Sequence, residues 1–478
     1  MRRLIRLCSG IFVTPALVVD GVESVGGSLL LWVFGGLIAT YGLMVWLQLG
    51  LHYRSSLQET MRRCARSREA VEKRTTRAGL FLNSAFAMLK TTLLVAICVL
   101  GFMKAGGVRV GGEPKATSNF DVIESFRPGA REVPSVTNSL LYIMYAFSGF
   151  EQPFYVLTEV RTPRRVFPRY TLLTMAFVIV LFLLVNVAYF CAVPRNLPAL
   201  HEQRNMAIVF FGHMFGNETA KRVMAAIIAV SISGNLLVMT YTASRVKQEI
   251  AKEGILPWSL TFATSRRTPW AWWKGRHLEE DDPTLEQSPM AALGLHFLTS
   301  ALLIALTAML DPSIAYAVLV KLYSYVIIIL NGFFTSLGLL YLKFKRNRNW
   351  SNPNFNPPFG WGYALVYCVA CACMILAAFA QPSDESPYAY AATNLQWYLL
   401  LAVGLSVPFW GIAWYLGLKL VMAFRGRELV VSRRPTTDPD PGMPDQYIMT
   451  AEHITHDWHI HGAHRAVGAA DDEELQSY

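Results

Sequence analysis

Two short runs of small residues inside apolar stretches are where this chain could do chemistry: Cys8-Ser9-Gly10-Ile11-Phe12 near the start and Phe147-Ser148-Gly149-Phe150-Glu151 further on. At membrane depth no water is available to backbone N–H and C=O groups, so a helix opened there turns its freed groups towards a polar ligand. An exposed helix N-terminus offers N–H donors and positive dipole to an anion, and a C-terminal end offers carbonyls to a cation. A zwitterion satisfies both. The alternative is that these serines and glycines only let helices pack closely. Three ionisable groups, Lys90, Glu151 and Lys321, also interrupt apolar runs. An unpaired charge there costs about 3 kcal/mol or more, so each needs a partner, water or a task.

The elements that must position these residues follow from composition. With 53% hydrophobic and only 16% charged residues, the chain has more apolar length than one soluble core can bury. An all-α polytopic membrane protein is expected. Apolar runs near the ~20 residues that cross a bilayer fall at about 27–52, 80–104, 136–158, 169–193, 222–244, 289–310, 314–342, 361–381 and 395–422, after a shorter one at about 8–20. The organisation expected is two spans in 1–52 with the first truncated, a basic cytoplasmic loop at 53–79, eight further spans in 80–422 and a tail at 423–478.

Charge orients the bundle, because Lys and Arg collect on the cytoplasmic side. With the N-terminus inside and all ten segments crossing, the inner side receives Arg2, Arg3, Arg6, the block from Arg54 to Arg77, Arg161, Arg164, Arg165, Arg169, the stretch from Arg245 to Arg276, and Lys343, Lys345, Arg346 and Arg348. The outer loops 21–26, 311–313 and 382–394 contain no Lys or Arg, and only 105–135 and 194–221 break the pattern, mildly. Both termini are then cytoplasmic. The net charge of +10 reads as topology and attraction to anionic membrane lipid, not as nucleic-acid binding.

Other features are weighed more briefly. Asn217-Glu218-Thr219 is a glycosylation sequon on the outer side. The seven cysteines lie in or beside spans or in the basic loop and suggest no disulfide framework. Cys368, Cys371 and Cys373 read as packing residues rather than metal ligands. The tail is Pro-rich around Pro435, Pro439 and Pro441 and acidic from Asp471 to Glu474, so a disordered cytoplasmic segment is expected. His453, His456, His459, His461 and His464 within it read as solvated. Lys321, about two turns from the outer end of its span, is expected to snorkel. No nucleophile elbow, His-rich box or paired carboxylates occur on the spans, so no enzyme, cofactor or metal is expected.

Ser9-Gly10-Ile11-Phe12 followed by Thr14-Pro15 resembles the first-span signature of the amino acid–polyamine–organocation permeases. Ser148-Gly149-Phe150-Glu151-Gln152-Pro153-Phe154-Tyr155, running through Thr158-Glu159-Val160 into Arg161-Thr162-Pro163-Arg164-Arg165, resembles the sixth span and following loop of the L-type and fungal methionine-permease branch. Asn186-Val187-Ala188-Tyr189 and Ala243-Ser244-Arg245 with Ala251-Lys252-Glu253-Gly254-Ile255-Leu256-Pro257 fit the same branch in the same order.

That resemblance implies a five-plus-five inverted repeat whose first and sixth helices are discontinuous and hold substrate at the midplane. It implies that the backbone at Ser9, Gly10 and Ile11 binds an amino-acid carboxylate. Tyr145, Ala146 and Ser148, beside Gly149, would bind the amino group, with Tyr145 as an aromatic gate. It implies proton-coupled uptake of neutral amino acids such as methionine at the plasma membrane. Lys90 stands where proton-coupled relatives carry a lysine in place of a sodium ion, and Glu151 is its partner, a lining group or a cap on backbone N–H. The chain departs from the family in three ways. No apolar run lies within Tyr53–Ala78, so the third and fourth spans are missing, an even number that preserves downstream orientation. The first helix is clipped, and Cys8 stands where the family has glycine. A membrane-inserted, non-transporting receptor-like or degenerate permease is the alternative.

Overall fold

The computed structural model describes residues 9–64, 75–108, 118–121, 124–126, 132–155, 163–194, 205–268, 287–345, 360–381, 397–440 and 443–460. Each of the ten apolar stretches contains helix, and among the described residues seven helices are long and apolar enough to cross a bilayer. This is an all-α polytopic membrane protein. In chain order the helices are α1 (Thr14–Val22), α2 (Val25–Cys64), α3 (Thr75–Ala105), α4 (Val133–Phe147), α5 (Gln152–Tyr155), α6 (Pro163–Ala192), α7 (Met206–Phe215), α8 (Glu218–Lys252), α9 (Ser259–Ala263) and α10 (Met290–Thr307). Then α11 (Pro312–Tyr323) passes through a π-helical segment, Ser324–Leu330, into α12 (Asn331–Phe344), followed by α13 (Gly362–Ala377) and α14 (Trp397–Arg425).

The described parts of the chain form two compact units, one from Met1–Ser56, Ala78–Val238 and Thr307–Leu405, the other from Leu57–Arg77, Met239–Leu306 and Ser406–Tyr478. In the first unit α1 lies along α4, and α12 along α13. Trp32 of α2, fully buried, meets Phe147 and Phe182 edge-on with ring centroids 5.7 and 6.1 Å away, tying α2, α4 and α6 together. Close approach needs small residues where helices cross. Gly101 of α3 lies against Ala188, where an added Cβ would stand 2.5 Å from the alanine Cβ.

Sidedness along α3 separates protein from lipid. Lys90, Leu93, Leu94, Ile97, Cys98, Gly101 and Lys104 are buried at helical spacing, whereas Met88, Leu89, Val95, Val99 and Phe102 face outward. Outward apolar residues satisfy the bilayer as solvent. In the second unit α10 carries this furthest: Phe297, Leu302, Ile304 and Leu306 are exposed, and Ala292 is its buried residue.

Two regions differ from expectation. Within the predicted outer loop 194–221, residues Met206–Phe215 form α7. Asn205 caps it by accepting the Ile208 N–H at 3.3 Å, and Gly216 ends it with φ +62°. Its apolar face, including Met206, Val209 and Phe210, is buried. The second region is the predicted disordered tail, where Arg427–Asp440 and Met443–Ile460 pair as antiparallel strands β3 and β4, numbered after a two-residue pair, β1 (Arg266–Arg267) with β2 (Gln287–Ser288). Strand alternation puts Leu429 and Val431 on one face, against Gly254. The His456 ring lies between the Ser259 hydroxyl (2.9 Å) and the Lys252 carbonyl (3.3 Å). These partners are distant in sequence, so composition could not reveal them. The terminal stretch 461–478, with His461 and His464, lies outside the described residues.

Candidate functional site

Ser9–Phe12 is a single 3-10 turn, and α-helix begins only at Thr14. Pro15 in the first helical turn suits that start, since its missing N–H would have no partner there. The Gly10 carbonyl accepts from the Val13 N–H at 2.9 Å and from the Thr14 hydroxyl at 3.0 Å. Gly10, Ile11 and Phe12 are buried. Cys8 and the residues before it lie outside the described part.

The second interruption closes α4 at Phe147. Ser148 donates its N–H to the Tyr145 carbonyl at 3.0 Å but has ψ 156°, which leaves the helix. Gly149 follows with φ +98°, a left-handed conformation that side chains resist. Glu151 then folds back, its Oε2 accepting the Gly149 N–H at 3.1 Å, and helix resumes at Gln152 for the four residues of α5. Of the roles expected for Glu151, the cap on backbone N–H is the one this bond supplies. Ser148, Glu151 and Gln152 are all buried. The continuation at 156–160 is outside the described residues.

The two interruptions meet. A Cβ built on Gly10 would stand 3.0 Å from Cδ1 of Tyr145 and 3.1 Å from Cα of Ala146. Ser9, Gly10 and Ile11 thus share one locality with Tyr145, Ala146, Ser148 and Gly149, and a side chain at position 10 would require its neighbours to give way. Lys90 is carried by α3. It is on the buried stripe of α3, a helix that reaches α6 at Gly101 and α8 where Phe86 meets Gly234.

Sequence reasoning missed a second aromatic and cationic layer beside the break. Tyr145 meets Tyr323 of α11 edge-on, centroids 5.9 Å apart at 88°. One turn earlier on α4, the fully buried Tyr142 has the Lys321 Nζ 5.5 Å from its ring centroid. Lys321 is only 7% exposed, which corrects the expectation that it snorkels. The Tyr142 ring and the packing of α11 on α4 hold it inside. The spacing of Tyr142 and Tyr145 by one helical turn was the available signal.

The profile of the amino acid permease family matches residues 70–407. That stretch includes the second interruption, Lys90 and Lys321. The chain is 27% identical over 342 residues to the high-affinity methionine permease of Saccharomyces cerevisiae, covering 70% of this chain and 54% of that protein. It is 27% identical over 184 residues to the low-affinity methionine permease of the same yeast, covering 38% and 33%. To the human cystine/glutamate transporter it is 22% identical over 309 residues, covering 54% and 60%. The chain spans about half the length of the curated relatives it matches. Because the family profile extends over well more than half of the sequence, the chain belongs to the amino acid permease family.

Proposed function

We propose that this protein carries neutral amino acids, with methionine favoured, across the plasma membrane by alternating access coupled to protons. The observation that carries the reading is the meeting of two helix interruptions at Gly10 and Tyr145–Ala146 in a member of the amino acid permease family. Peptide dipoles at such a place suit a zwitterion: N–H groups around Ser9, Gly10 and Ile11 for the carboxylate, carbonyls around Tyr145, Ala146 and Ser148 for the ammonium. Gly149 opens the helix and Glu151 satisfies the N–H it frees. Tyr145, wedged between Gly10 and Tyr323, acts as gate. Lys90 is the coupling group, an ammonium on the inward stripe of α3 that gains and loses a proton during the cycle. The similarity to yeast methionine permeases supports the substrate. An inverted repeat lacking two spans of its first half supplies the moving scaffold, with both termini cytoplasmic.

A second reading, a membrane-inserted family member that does not transport, is favoured by one feature: no apolar segment separates α2 from α3. Uptake of labelled methionine into cells lacking their own methionine permeases decides between them. Saturable uptake abolished by a protonophore is expected. Absence of uptake at any external pH from 4 to 7, with the protein present in the membrane, sinks the transport reading. Sequencing the transcript across codons 50–80 completes the test, since a message encoding two further spans removes the ground for the second reading.

A further inference from the structure

Lys321 lies within the candidate span Ile314–Phe344, buried, with its ammonium over the Tyr142 ring. Two residues on, Tyr323 meets Tyr145, the ring that presses on Gly10. Ser324 stands three residues beyond Lys321, hence on the same helix face. It is fully buried, and its hydroxyl has no hydrogen-bond partner among the described residues. Buried hydroxyls are almost always bonded, so one that is not marks a place for a ligand or water. Ser324 also opens the π-helical segment Ser324–Leu330, and such segments are frequent at functional positions. A cation, an orphan hydroxyl and the break in α4 therefore share one wall.

We propose that Lys321 and Ser324 form the side-chain end of the substrate site and set its specificity. They accept amino acids whose side chains end in a neutral or anionic hydrogen-bond acceptor and exclude those ending in a cation. This rests on the transport reading. The ammonium and the hydroxyl both donate to an acceptor atom, whereas a second cation would meet like charge in surroundings that screen it weakly. Lys321 also occupies the face of Tyr142, the aromatic surface on which a guanidinium would otherwise gain.

The test is competition for labelled methionine uptake by the full chain, comparing arginine with citrulline, its uncharged near-isostere. Citrulline should inhibit the parent about tenfold more strongly than arginine, Lys321→Gln should close most of that gap, and Lys321→Arg should keep it. Ser324→Ala should weaken citrulline about threefold relative to norleucine, which has no acceptor. Equal inhibition of the parent by arginine and citrulline overturns the proposal without recourse to any variant. Lys321→Gln in the membrane with the gap intact overturns it as well. A parent that takes up no amino acid defeats the transport reading and this proposal with it, whereas uptake with unaltered selectivity defeats this proposal alone.

Discussion

Gly149 has room around it and Gly10 has little, so alanine at the two positions separates backbone strain from crowding at one locality. At Gly149 the nearest atom to an added Cβ is 3.7 Å away, but φ is +98°. Alanine there should cost about 1–3 kcal/mol of strain. Because the strain falls on the break itself, methionine uptake should drop about tenfold while the protein still extracts and melts as a folded species. At Gly10 the Cβ would press on the Ala146 Cα at 3.1 Å, and backbone cannot swing aside as a side chain does. Overpacking of this kind costs about 1–3 kcal/mol and should lower both thermal stability and uptake. Glu151 gives a third comparison at this scale. Glu151→Gln keeps an oxygen for the Gly149 N–H, whereas Glu151→Ala leaves a part-buried donor without that oxygen, at about 1 kcal/mol. The glutamine variant should retain more thermal stability than the alanine variant in detergent. If the two melt alike, the cap role is wrong.

Elements that an apolar run could define were legible in the sequence, and those defined by distant partners were not. The position of α3 as a span, though not which of its faces is buried, follows from apolar length alone. So does the placing of helix breaks at Ser9–Phe12 and Ser148–Glu151, where small residues interrupt apolar runs. By contrast, α7 hid inside a loop because ten residues are too few to suggest a span, though Asn205 and Gly216 are ordinary start and stop signals. Lys321 was misplaced because distance from a span end does not reveal that Tyr142 faces it. The hairpin of β3 and β4 was hidden by its prolines and charges. Its attachment can be tested: His456→Ala removes the bonds to Ser259 and the Lys252 carbonyl, leaving the packing of Leu429 and Val431 on Gly254. Proteinase K applied to the detergent-solubilised protein should then cut the 427–460 segment several-fold faster than in the parent, because cleavage tracks the population of the undocked form. Equal rates would show that His456 does not hold the hairpin.

At the scale of the whole molecule, the question is what drives the cycle if two spans of the first half are missing. Removing an even number leaves every downstream segment with its expected orientation, with the basic loops expected on one side and the loops 21–26, 311–313 and 382–394, which lack Lys and Arg, on the other. In the proposed mechanism the driving ion depends on α3, where Lys90 is buried within the protein. A lysine that takes a proton outside and releases it inside binds more protons as external pH falls, so uptake at fixed substrate should rise from pH 7 to pH 5. Replacing sodium with choline should change nothing. Lys90→Ala should abolish the pH dependence and the accumulation against a gradient, while exchange of labelled for unlabelled methionine continues. Exchange needs only the proposed site at Gly10 and Tyr145, so its survival separates loss of coupling from loss of fold. Sodium-dependent uptake that ignores a protonophore, or a Lys90→Ala variant that still accumulates methionine, would take the coupling role away from Lys90 and leave the binding site standing.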